Sequence, residues 1–81
     1  MQEQLKNPQS RVVGTKQVLR AVADHRAAMV YLGKDADSFL YHRIKGACEQ
    51  NGVSVNTAYT MQEIGTFCAL EVASAAAAVL K

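Results

Sequence analysis

Three side chains near the start of the chain have the types and spacing to grip an anionic, hydrogen-bonding ligand. Lys16 and Arg20 stand four positions apart, so on a helix they share a face. Gln17 lies beside them with an amide that both donates and accepts. Just ahead, Val12-Val13 reads as the end of a strand, Gly14 as a residue free to take backbone angles that others resist, and Thr15 as a helix cap. Val18, Leu19, Val22 and Ala23 then point away toward a core. A cation–amide–cation cluster at a strand-to-helix corner, where exposed backbone N–H groups favour anions, is equipment for a nucleic-acid surface. The same residues also suit an ordinary solvated helix start. Asp24, four after Arg20, is placed to pair with it and mask part of the basic patch.

Other groups fit other chemistry less well. Asp35 and Asp37 form a carboxylate pair, but their place ahead of a helix makes them caps rather than acid–base or metal groups. Asp24 and His25 are helix neighbours, which diverge by about a hundred degrees and do not meet. His42 falls on the polar side of its helix and reads as solvated. Two histidines and two scattered cysteines make no zinc site. There is no phosphate-binding glycine fingerprint and no nucleophile elbow. The expectation is a protein without catalytic residues, metal, cofactor or small-molecule substrate.

The elements that must position the basic cluster can be read in order. Residues 2–7 suit one or two weak helical turns, which Pro8 interrupts. Arg11–Val13 is a short strand, and a helix follows from Thr15 to about Arg26. The continuous apolar run Ala27–Leu32 suits a central strand covered on both faces. Gly33–Asp37 is a turn in which Asp35 or Asp37 caps a helix over Ser38–Asn51, with Gly52 as its left-handed stop. Leu40, Ile44, Ala47 and Cys48 make the inward stripe of that helix, while Arg43 and Lys45 face water. Residues 53–57 alternate, as a strand near a sheet edge does. Thr60-Met61-Gln62-Glu63 has capping-box spacing, so a short helix starts there, weakened by Gly65 and using Ile64 and Phe67 as core contacts. In the alanine-rich tail from Leu70 to Leu80, intrinsic propensity favours helix. Alternating strands and helices with short connections give an α/β layered sandwich around a small mixed sheet.

Bulk properties bound the class. Eighty-one residues make one domain, residues 1–81, with a modest core. Hydrophobic residues are 49% and charged residues 20%, which suits a folded chain rather than a disordered one. The formal charge is only +2, so a local patch would have to carry any attraction for nucleic acid. Cys48 and Cys68 lack CxxC spacing and read as reduced, buried thiols of a cytoplasmic protein. No apolar run reaches membrane-spanning length, and Met1–Lys6 lacks the apolar core of a signal peptide. Trp is absent, which makes a broad aromatic platform for single strands doubtful.

Read together, Arg11-Val12-Val13-Gly14-Thr15-Lys16-Gln17, Lys34-Asp35-Ala36-Asp37 and Ile64-Gly65-Thr66-Phe67-Cys68-Ala69-Leu70-Glu71-Val72-Ala73 carry a likeness. Their order and separation resemble the kink-turn RNA-binding ribosomal-protein family, the group of the archaeal large-subunit protein seven-A-e and its thirty-e relatives. The resemblance runs from about Ser10 to Leu80 and is nearest to the small bacterial members of YbxF type. It implies a three-layer α/β/α sandwich with a four-stranded mixed sheet, in which the alanine-rich tail is the last strand. It also implies binding to a kinked RNA duplex in which sheared G·A pairs follow a bulge. Carried over by residue, Gly14, Thr15, Lys16, Gln17 and Arg20 would face the G·A pairs. Ala69, Leu70, Glu71, Val72 and Ala73 would face the bulge.

The chemistry agrees with that implication. An A-form major groove is too deep and narrow for side chains, and a kink opens it. Guanine then offers N7 and O6 acceptors to Lys16 or Arg20, and Gln17 can bridge base edges. Leu70 and Val72 suit either an unstacked base or closure of the core beneath the loop. Many archaeal and eukaryotic relatives have asparagine and glutamate where this chain has Lys16 and Gln17, whereas the bacterial ones share the Lys-Gln pair. Ala69 stands where a glycine is common, and a frequent proline is missing.

The expected partner is structured RNA, ribosomal or regulatory, bound by a monomer. A protein–protein adaptor on the same fold, its RNA site decayed, is the alternative, supported by the small net charge and by Asp24 beside Arg20. A substrate-gripping accessory module of an RNA methyltransferase is a third reading.

Overall fold

The computed structural model describes residues 3–81. The apolar runs become strands where the sequence predicts them: β1 spans Arg11–Val13 and β2 Ala27–Leu32, with β3 at Ser54–Asn56 and β4 at Ala76–Leu80. The helices are α1 (Glu3–Lys6), α2 (Thr15–Ala23), α3 (Ser38–Asn51) and α4 (Met61–Phe67). The first expected turn begins at Gln2, which lies outside the described residues. The sheet order is β1-β4-β2-β3. β4 runs antiparallel to both neighbours, pairing Val13 with Ala77 on one side and Val30 with Ala78 on the other. β2 and β3 are parallel, with Val30 opposite Val55. β2 is thus internal and β3 an edge, as their continuous and alternating patterns predict.

The alanine-rich tail is a strand because pairing on both sides outweighs helix propensity, which favours alanine by less than about 1 kcal/mol per residue. Its small side chains serve two layers at once. Ala76 and Ala78 join Val18, Ala21, Val22 and Ile44 beneath α2 and α3. Ala77 and Val79 join Leu5, Ile64 and Cys68 beneath α1 and α4. The result is an α/β/α sandwich. Cys48 lies in the first cluster and Cys68 in the second, so the sheet separates two free, buried thiols. Burial pushes both thiols up in pKa, and the nearby Arg11 charge draws Cys68 part of the way back.

Several boundaries differ from expectation for local reasons. α2 stops at Ala23 rather than near Arg26, because His25 takes a left-handed φ of 59° and ends the turn. The buried alanine of α2 is Ala21, and Ala23 is exposed. Asp24 pairs with Arg26 at 3.7 Å, not with Arg20. β3 is shorter than the expected 53–57: the Asn56 side-chain oxygen accepts from the Ala58 N–H at 2.9 Å and turns the chain out of the sheet. Asp37 is the cap of α3, accepting from Phe39 and Leu40, and Gly52 stops that helix in the left-handed region. α4 opens with the reciprocal capping box of Thr60 and Glu63.

Strand directions place the functional corners. β1, β2 and β3 all point their C-terminal ends the same way, and β4 starts there. The Gly14 N–H donates to the Ala76 carbonyl at 3.0 Å, and the Gly33 N–H donates to the Ala75 carbonyl at 2.9 Å. The start of α2, the turn before α3 and the exit of the 68–75 loop therefore share one end of the sheet. The opposite end is closed by bonds from Leu80 to Ser10 and from Lys81 to Arg26.

Candidate nucleic-acid interface

At the first corner, Gly14 has φ 97° and ψ 152°, a conformation that side chains disfavour, and it is the N-cap of α2. Thr15 is therefore the first helical residue and not the cap. Among the described residues no side chain satisfies the first N–H groups of α2, and its first turn contains no acid. Those donors and the positive end of the helix dipole stay available to an anion. Lys16 and Gln17 are exposed on this turn and Arg20 on the last one, while Val18, Ala21 and Val22 anchor the opposite face. Since Asp24 turns to Arg26, the expected masking of Arg20 does not occur.

At the second corner the loop is shaped by backbone. After Cys68 the chain enters Ala69 at φ 60°, then runs back along α4. The Leu70 N–H donates to the Gly65 carbonyl at 2.9 Å, and the Ser74 N–H donates to the Met61 carbonyl at 3.1 Å. Gly65 is fully covered by this return: a Cβ there would run into the Val72 carbonyl oxygen and stand 3.1 Å from the Ala73 Cα. Gly65, expected to weaken α4, is instead the position that lets the loop lie on it. Gln62, Thr66, Leu70, Glu71, Val72 and Ala73 line a shallow cleft of about 240 Å³ along this path.

The apolar pair of the loop divides. Leu70 is half-buried against the Leu5–Ile64–Cys68 cluster and closes the core. Val72 is 70% exposed and is the one free to cover a base. Ala69, Glu71 and Ala73 are also exposed. The two corners meet across β1 and β4, where Gly14 holds Ala76, three residues beyond Ala73.

Two supports were not foreseen from sequence. Asp35, expected as a cap of α3, instead accepts from the Met61 N–H at 2.8 Å, across 26 residues. Met61 in turn holds Ser74, so Asp35, Met61 and Ser74 tie the turn before α3 to the loop. Arg11 donates to the carbonyls of Leu5 at 2.8 Å and Cys68 at 3.1 Å, fixing the start of the loop to α1. A carboxylate two residues before a cap, and an arginine opening a strand, carry no sequence signal of such long-range bonds. Among the described residues no helix is long and apolar enough to cross a membrane, and no group of three His, Cys, Asp or Glu could hold a metal ion.

Fold and site together define a small α/β/α module with a polar helix corner and an apolar loop at one end of its sheet. The chain belongs to the ribosomal protein L7Ae/L30e/S12e/Gadd45 family, whose model matches residues 1–81. It is 44% identical over 71 residues to an RNA-binding protein of Caldanaerobacter subterraneus subsp. tengcongensis, covering 88% of this chain and 87% of the relative. It is 33% identical over 70 residues to the RNA-binding protein YbxF of Geobacillus stearothermophilus, covering 86% and 85%. Among solved structures, a Giardia lamblia 15.5kD RNA binding protein superposes with a TM-score of 0.88 at 24% identity, over 99% of this chain and 70% of that one. A Bacillus halodurans protein of unknown function gives 0.87 at 18% identity, over 99% and 83%. At those identities the structural likeness speaks for the fold alone.

Proposed function

We propose that this chain is a non-catalytic RNA-binding protein that recognises kink-turn RNA. Lys16 and Arg20 donate to guanine acceptors of the sheared G·A pairs, Gln17 bridges base edges, and the N–H groups opened by Gly14 and Thr15 approach the backbone. Ala69, Glu71, Val72 and Ala73 meet the bulge, with Val72 covering an unstacked base and Leu70 supporting the loop from below. The observation that carries this assignment is the uncapped first turn of α2, with Lys16, Gln17 and Arg20 exposed, bonded through Gly14 to the exit of the loop. Family membership and RNA-binding relatives support it. The adaptor alternative loses one of its supports, since Asp24 pairs with Arg26 and not with Arg20.

A gel shift with a kink-turn duplex, against the same duplex with Watson–Crick pairs in place of the G·A pairs, tests the assignment. Tight binding to the first and weak binding to the second is expected. Equal affinity for both would overturn it. The protein acts as a monomer in the cytoplasm, on ribosomal or regulatory RNA. Light scattering of the complex, and crosslinking with sequencing of the bound RNA from cells, check these points.

A further inference from the structure

Lys16 has a neighbour that the RNA site described above does not include. Thr15, Lys16 and Leu19 form one wall of a cleft of about 420 Å³, and Arg43 of α3 forms the other. The cleft exists because α2 and α3 lie side by side on one face of the sheet, packed through Val18 and Val22 on one helix and Ile44 and Cys48 on the other. Ile44 is fully buried, so the backbone that carries Arg43 is held at the rim.

The two cations at this cleft are unspent. Elsewhere the fold engages three of its positive side chains. Arg11 donates to two carbonyls, Arg26 faces Asp24, and the Lys45 ammonium sits 5.9 Å from the centre of the Tyr41 ring. Lys16 and Arg43 have no ion pair and no side-chain hydrogen bond among the described residues. None of the residues lining the cleft is acidic. A hydroxyl and two cations beside a leucine match a phosphodiester backbone, and the arginine fork suits two oxygens of one phosphate.

We infer that the α2–α3 cleft holds a backbone phosphate of the bound RNA, on the stem adjoining the G·A pairs, and that Arg43 is an RNA-contacting residue. The inference rests on the kink-turn assignment, because Lys16 belongs to both surfaces. A phosphate contact carries no sequence information. Arg43 therefore adds affinity to every duplex the α2 corner accepts and leaves the choice among them unchanged.

The test measures affinity for the kink-turn duplex and for the duplex without G·A pairs, from about 0.05 to about 0.3 M potassium chloride, where counterion release gives a linear logarithmic slope. Arg43→Ala is expected to weaken both duplexes roughly fivefold near 0.1 M salt and to flatten the salt slope by about one unit. It should keep the ratio between the duplexes and the parent's melting temperature, and Arg43→Lys should keep the parent's slope. An Arg43→Ala protein with the parent's affinity and slope overturns the inference, as does a changed ratio between the duplexes. If the parent fails to distinguish the duplexes, the kink-turn assignment falls. A slope still flattened by Arg43→Ala would then keep the phosphate contact on duplex RNA in general. Parent-like RNA binding by Arg43→Ala, with loss of an acidic protein partner, would assign the cleft to that partner instead.

Discussion

The α2 corner presents side chains, whereas the 69–73 loop presents a surface shaped by backbone packing. Lys16, Gln17 and Arg20 project from a helix whose opposite face is buried, so each can change without disturbing the core. The loop has no such separation. Its course depends on Gly65 beneath it, on the left-handed turn at Ala69 and on the Asp35–Met61–Ser74 tie. Chemistry is therefore adjustable at the first region, and shape is fixed at the second.

Substitutions should separate the two. The largest effect is expected from Lys16→Ala with Arg20→Ala. RNA affinity should fall about a hundredfold, since each lost base contact is worth roughly 1–3 kcal/mol. The melting temperature should stay within about 2 °C of the parent's, as for most surface changes. Fluorescence anisotropy and a thermal melt on the same samples decide this, and a protein that melts early would place these residues in the fold instead.

Gly65→Ala should do the reverse, costing stability first. Its methyl group meets the Val72 carbonyl, which is main chain and has no rotamer to escape into. A loss of about 2 kcal/mol is expected from overpacking, seen as a melt lowered by roughly 10 °C. RNA affinity should weaken through the displaced loop. An unchanged melt would mean that the loop does not rest on α4.

Asp35→Ala removes one exposed hydrogen bond and should cost about 1 kcal/mol. Asp35→Asn keeps an acceptor and should recover most of it. Chemical denaturation of the three proteins measures the difference, and equal losses for both variants would show that the carboxylate charge is what counts. Ala69→Gly should work in the opposite sense. Relieving a left-handed alanine is expected to stabilise by about 0.5 kcal/mol, readable as a small upward shift in the same denaturation curve.

The smallest effect is with pH. Both thiols have folded pKa values raised by burial. Between the unfolded value, about 8.5, and the folded one, the native state holds more protons than the unfolded state. The thiols' contribution is thus full below that range and is lost as pH rises through it. Melts recorded from about pH 7 to pH 10 should decline at the alkaline end, and a flat or rising profile would contradict buried thiols.

Much of this was legible in the chain. β1, β2 and α3 lie where the hydrophobic patterns and the Asp37 and Gly52 signals put them, because those signals are local. The alanine tail was not readable from propensity, since what makes it a strand is pairing with β1 and β2, which lie dozens of residues away. The family resemblance supplied it instead. The packing role of Gly65 is hidden for the same reason: propensity shows only a weak point in α4, and the segment lying on it comes from the loop that follows. The short turn over residues 2–7 is signalled in the sequence and forms as α1, but the full burial of Leu5 within it is not. On the site, the cation–amide–cation cluster was visible as spacing. The Asp35 bond and the place of Arg43 beside Lys16 were not, because both join segments far apart in the chain.

The bond that closes the far end of the sheet has a practical consequence. Lys81 is held to Arg26 at the pole opposite the α2 corner. A dye or tether attached at Lys81 emerges on that side. Immobilised by such a handle, the molecule stands with the α2 corner outward.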